Sequence, residues 1–177
     1  MVGHSQRVCN ALLTATLARR GPWWYLSAVT PDRLDPRAYA EKINKWAKGT
    51  MLESHGTRIL SAGEGRAVSE LPFKPELSQL TGLFHAGAII AFADETATAA
   101  SMWETNPTGE FKPELFPMTL QISANLIRNT NRGVLRAEAE IIHRGRITLV
   151  VEVKVRDELG KLIASLIVTQ LVPVPAA

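Results

Sequence analysis

The chain holds a single cysteine, Cys9. One thiol cannot close an internal disulfide or build a cysteine-rich zinc cluster, so the fold must rest on its core. Charge of one sign is never concentrated, and no run of five or more like charges occurs. The formal charge of +3 and pI near 9.2 are too mild for a nucleic-acid footprint. They suit a site for an anionic small molecule. Long apolar runs are also missing. The longest, near Ala86–Ala93, is too short to cross a bilayer and is followed by carboxylates. No histidine, cysteine and carboxylate cluster has metal-ligand spacing, and no phosphate loop or nucleotide-binding glycine motif occurs. The sequence therefore predicts no metal, no nucleic-acid partner and no membrane span.

What remains is a chain of 177 residues, 46% hydrophobic, which suits one core. Acidic residues are absent before Asp32, while Arg7, Arg19 and Arg20 occur there with Ser and Thr. That composition fits an organellar transit segment or an unstructured extension. "GPWWYL" (Gly21–Leu26) reads as a packed or partner-facing stretch. The expected organisation is an extension over 1–33 and one domain over 34–177. The expected location is cytoplasmic, or organellar if Met1–Thr30 acts as a transit segment.

"DPRAYAEKINKWAKGTMLE" reads as an amphipathic helix, with Asp35 as cap and Pro36 in its first turn. "TRILSA", the turn "GEG" and "RAVSEL" read as a strand pair. Four long strands are expected at Met118–Leu126, Val134–His143, Ile147–Arg156 and Leu162–Val172, joined by turns and therefore antiparallel. Between the two strand groups lies an alanine-rich helix over Ala86–Trp103, the natural cover for one sheet face. One such layer leaves sheet edge and face open, so dimers or tetramers are expected.

That helix carries two adjacent carboxylates, Asp94 and Glu95. Successive helical residues are about 100° apart, so the two point different ways and form no shared-proton dyad. Asp94 and Thr98, at i and i+4, share a face. An ionised carboxylate in an apolar helix is costly, which marks Asp94 as a functional candidate against a solvated or salt-bridged one. At the helix start, unpaired N–H groups near Ala86 and Gly87 favour an anion or a polarised carbonyl oxygen. Gly87 lets a ligand approach the backbone. His143, His4 and His55 have no partners in sequence and read as surface or packing residues.

"FHAGAIIAFADETATAA" and "ISANLIRNTNRGVLRAEAEIIHRGRITLVVEVKVRDELGKLIASLIVTQ" resemble the hotdog-fold acyl-CoA thioesterases of the phenylacetate-degradation (PaaI-like) group. The likeness runs from about Gly56 to Val172. It implies an α+β hotdog fold: a long central helix wrapped by an antiparallel sheet, here with an N-terminal helical extension. It implies an acyl-CoA substrate and no separate cofactor, coenzyme A being part of the substrate. By this resemblance the N–H of Ala86 binds the thioester carbonyl oxygen, with Gly87 beside it and Gln79 assisting. Asp94 acts as general base or as nucleophile, and Thr98 holds the water. His85 reads as a residue that shapes the loop rather than one that transfers protons. Ala86 stands where the family has the first glycine of its pair, which can tighten the pocket. Gln79, Asp94 and Thr98 together lean towards aromatic acyl groups. Sites lie between subunits, with Asp94 of one chain facing Gln79 and Ala86 of the other. Glu95 is the bystander or the alternative base. Arg128, Arg132, Arg144 and Arg146, at strand ends, are candidates for the carrier's phosphates. The alternatives are a non-catalytic acyl-CoA-binding regulator and a hotdog dehydratase, whose usual local patterns are absent.

Overall fold

The computed structural model describes residues 33–173. Cys9, His4, the arginine-rich start and Gly21–Leu26 lie outside them.

Helix α1 spans Pro36–Trp46. Asp35 Oδ1 accepts from the N–H groups of Arg37 and Ala38, and Pro36 occupies the first turn, where no N–H is needed. Tyr39, Ala40 and Ile43 form its buried face, and the Tyr39 hydroxyl donates to the carbonyl of Met102 at 3.0 Å. The helix expected to run on to Glu53 instead breaks. Gly49 turns left-handed at φ +78°, and a short helix α2 restarts at Met51–His55.

Strands β1 (Arg58–Gly63) and β2 (Arg66–Pro72) form a hairpin through Glu64 and Gly65, both at positive φ. Helix α3 covers Ala86–Thr105. It is followed by β3 (Met118–Leu126), β4 (Val134–Arg144), β5 (Thr148–Arg156) and β6 (Leu162–Leu171). The six strands make one antiparallel sheet in the order β1-β2-β4-β5-β6-β3. The turn "NTNRG" therefore does not join neighbours. Two strands separate β3 from β4, and their connection crosses the end of the sheet.

That crossing segment holds the start of α3. The N–H of Phe84 bonds the carbonyl of Thr130 at 3.0 Å, and Asn129 Nδ2 donates to the carbonyl of Phe84 at 2.8 Å. Further along, Ile89, Phe92, Ala93, Ala97 and Ala100 are buried against inward residues of the sheet such as Leu135, Val151 and Leu166. Each large apolar side chain so buried contributes roughly 1.5–3 kcal/mol. Thr96 donates to the carbonyl of Phe92 and accepts from Ser69, a buried polar contact tying α3 to β2. These contacts fix the rotation of α3, and so which way residues 94, 95 and 98 face.

At the other edge, β3 alternates apolar and polar side chains, yet only Ile122 is even partly buried. Met118 and Leu120 are 52% and 58% exposed. An edge strand that exposes apolar side chains in this way is a template for another chain.

Candidate active site

Asp94 lies at the middle of α3, half-buried, and its Oδ1 accepts from the Thr119 hydroxyl on β3 at 2.6 Å. Burial pushes the Asp94 carboxyl above the usual aspartate value; the Thr119 hydrogen bond pulls it down, and the neighbouring Glu95 charge pushes it up. Burial is the largest of the three effects. One turn on, Thr98 Oγ1 accepts from Gln170 Nε2 at 2.8 Å, and the same nitrogen reaches Thr119 Oγ1 at 3.1 Å. Gln170 is fully buried on β6.

Glu95 points elsewhere. Its Oε2 accepts from the Thr57 hydroxyl and lies 3.4 Å from His55 Nδ1. His55 is therefore no surface residue: it is buried, and its partner comes from a helix 40 positions away. His143 is exposed.

Asp94, Glu95 and Thr98 open onto a cavity of about 710 Å³. Its other walls come from α1 and α2 and from residues 111–119. These walls are mostly apolar, and aromatic side chains run along them. Trp46 lies 5.4 Å from Phe111, and Phe111 lies 6.2 Å from Phe116, ring centre to ring centre. A largely apolar cavity of this size with a few convergent polar groups is the usual form of a small-molecule site.

The start of α3 is a second polar centre. His85 is the N-cap, and its Nδ1 accepts from the N–H of Gly87 at 2.9 Å. In this arrangement the neutral ring carries its proton on Nε2. The lack of a side chain at Gly87 serves this cap, because a Cβ there would stand 3.0 Å from His85 Nδ1. Gly87 itself presents no free N–H to a ligand. Its N–H is taken by His85, and the N–H of Ala86 has no acceptor among the described residues. Gln79 sits on the adjoining loop, where its backbone N–H bonds the carbonyl of Leu83 and its side chain donates to Thr81 at 2.8 Å.

Ala86 and Asp94 are eight residues apart on one helix, or about 12 Å along its axis. Within one chain they cannot both touch a single carbonyl group. The four arginines also divide. Arg128 and Arg132 lie beside the start of α3, in a groove of about 640 Å³ that includes Lys161. Arg144 and Arg146 lie at the far end of the sheet, where Arg144 pairs with buried Glu104 at 3.1 Å. Ten residues of β4 separate the two ends, about 34 Å of strand.

Thr119, Gln170, His55 and Thr57 are the site residues that sequence reasoning missed. Gln170 left a signal, being an amide at an inward position of β6, in register with buried Leu166, Val168 and Val172. The others left none that local sequence shows.

Among the described residues no group of three or more His, Cys, Asp or Glu could hold a metal ion, and no helix is long and apolar enough to cross a membrane.

A long helix laid across one antiparallel sheet, with a free N–H at its start and a carboxylate at its middle, is the hotdog architecture. The thioesterase superfamily model matches residues 81–164, which take in all of α3. A 1,4-dihydroxy-2-naphthoyl-CoA hydrolase of Listeria monocytogenes is 31% identical over 64% of this chain and 87% of its own length. A conserved protein of Pseudomonas aeruginosa superposes with a TM-score of 0.63 at 30% identity, covering 72% of this chain and 97% of that one. A mutant thioesterase of Staphylococcus aureus gives 0.64 at 27% identity, covering 70% and 98%. The chain belongs to the thioesterase superfamily and is a thioester hydrolase.

Proposed function

We propose that this protein hydrolyses acyl-CoA thioesters with bulky, flat acyl groups, at sites completed by a second copy of the chain. The observation that carries this reading is the pairing of a free Ala86 N–H with a raised, half-buried Asp94 that no single chain can bring to one carbonyl. In an antiparallel pair of chains joined along β3, Ala86 of one chain faces Asp94 of the other. The exposed Met118 and Leu120 support that edge as the joint.

The thioester oxygen accepts from Ala86 N–H, where the helix dipole favours the charge that develops on it. The free Oδ2 of Asp94 takes a proton from water as the water oxygen bonds the carbonyl carbon. The carbonyl electron pair moves onto the oxygen, then returns and breaks the C–S bond. The proton on Asp94 passes to the departing thiolate, giving free acid and coenzyme A. Attack by Asp94 itself, through a mixed anhydride, is the second route to the same products.

The aromatic wall of Trp46, Phe111 and Phe116 suits an aromatic acyl group, in keeping with the named substrate of the Listeria relative. Arg128, Arg132 and Lys161, in a groove that Asp157 and Glu158 also line, are the cations at the Ala86 end of α3 that the carrier's phosphates would meet. Thiol release over short, long and aromatic acyl-CoAs, on wild type and Asp94→Asn, tests the reading. It requires turnover favouring aromatic acyl groups and lost in the variant. Saturable acyl-CoA binding without thiol release would instead make the protein a binding module.

A further inference from the structure

We propose that Gln170 is a positioning residue for catalysis, acting through the hydroxyls of Thr119 and Thr98; this rests on Asp94 being the catalytic carboxylate.

The direction of each hydrogen bond follows from the donors available. Thr119 Oγ1 lies 2.6 Å from Asp94 Oδ1, and an ionised carboxylate only accepts, so the Thr119 proton points at Asp94. Thr119 must then receive an N–H from Gln170, at 3.1 Å, which fixes the amide with its nitrogen toward β3 and α3. The same nitrogen donates to Thr98 Oγ1 at 2.8 Å. Both amide protons are thus committed to the two threonines. Thr98 already accepts, and its own proton goes to no described group. Because Thr98 lines the cavity, that proton is an oriented donor for the lone pair of a water whose own proton goes to Asp94.

Stability does not explain this amide. Gln170 is fully buried at an inward strand position, and its Oε1 has no partner among the described residues. A buried acceptor left unpaired costs free energy, and an apolar side chain of the same length would avoid that cost. The groups that bear on the charge of Asp94 are few. Glu95 is adjacent on α3, and His55 from α2 lies against Glu95.

The test is Gln170→Met, assayed with benzoyl-CoA across pH and by 13C NMR of the Asp94 carboxyl. The expected result is a kcat loss of roughly 5-fold to 100-fold, the range for losing two hydrogen bonds between neutral groups, with KM changed less than about twofold. The acid limb of kcat and the Asp94 titration should both move up in pH, while Tm holds or rises. A purely structural Gln170 gives the opposite pattern, with lower Tm and with kcat, acid limb and Asp94 titration unchanged, and that overturns the proposal. If Gln170→Met does not fold, Thr119→Val must reproduce the upward shift and Thr98→Val the kcat loss without it; absence of both overturns the proposal equally. Asp94→Asn separates the two readings. Full activity in that variant removes the proposed function itself, whereas an inactive Asp94→Asn beside an unaffected Gln170→Met removes only the role of Gln170.

Discussion

Thr119 on β3 donates its hydroxyl proton to Asp94 on α3 across 2.6 Å, joining two residues 25 positions apart. The contact places the carboxylate at the boundary between the covering helix and the open edge of the sheet. It explains how an apolar helix keeps an ionisable group at its centre. The group is held at one oxygen and left free at the other, facing a cavity.

Asp94 should cost stability at neutral pH. Its folded-state value is raised, chiefly by burial, so the folded chain binds a proton more readily than the unfolded chain. Stability contributed by the protonated form is present below the usual aspartate value and is lost as pH rises through the raised one. Asp94→Asn, which keeps an acceptor for Thr119, should therefore melt higher than wild type at pH 7. The difference should vanish at a pH below the usual aspartate range. The same variant should lose at least about 100-fold in kcat, the lower end of what a general base supplies.

The pH profile should report the same group. The acid limb of kcat should lie above the usual carboxylate range, because activity needs ionised Asp94 and burial resists that ionisation. A limb at or below the ordinary aspartate value would remove Asp94 as the base.

Much of this frame is readable in the sequence, and the unreadable parts share a cause. The alanine-rich apolar run of α3 and the turn-bounded strand runs of β4, β5 and β6 are local signals, and those elements fall where expected to within two residues. Strand partnership is not local. A short turn after β3 suggests β4 as its neighbour, but β6 pairs with β3 instead. Helix geometry alone separates Asp94 from Glu95, yet what each meets depends on tertiary packing. His55 has no partner within reach along the chain and finds Glu95 only after α2 docks on α3. Gln170 stands as an amide on an apolar strand face, but its two threonine partners come from other elements.

The cap at the start of α3 should be sensitive to one methyl group. Gly87→Ala puts a Cβ 3.0 Å from His85 Nδ1, so the imidazole must shift by a few tenths of an ångström and its bond to the Gly87 N–H is strained. Full loss of an N-cap costs about 0.5–2 kcal/mol, and the strained cap loses part of that. Thermal melts should show that loss, and kcat should fall as the Ala86 N–H loses its fixed direction.

The aromatic wall should set acyl preference. Phe111→Ala removes a ring that touches both Trp46 and Phe116. It should raise KM for benzoyl-CoA by about tenfold while leaving acetyl-CoA turnover within about twofold, a spread expected for losing an aromatic contact. Equal effects on both substrates would place the acyl group elsewhere.

The exposed edge should be an interface. Leu120→Glu places a charge on a strand face whose leucine is 58% exposed in the single chain. Size-exclusion chromatography should show monomers, and thiol release should disappear with the oligomer. A variant that stays oligomeric and active would exclude β3 as the joint.

The most direct test mixes two inactive chains. Ala86→Pro removes only the N–H at the first helical position, where proline is well tolerated and where the extended ψ of 137° at His85 already suits it. Asp94→Asn removes only the carboxylate. Each variant alone should be inactive while melting no lower than wild type. Co-refolded together, they form mixed pairs in which one site carries both lesions and the other carries neither. The account predicts that thiol release returns on mixing, in proportion to the mixed pairs formed. Mixed pairs that form and stay inactive would show that Ala86 and Asp94 serve the same chain's site, and would contradict it.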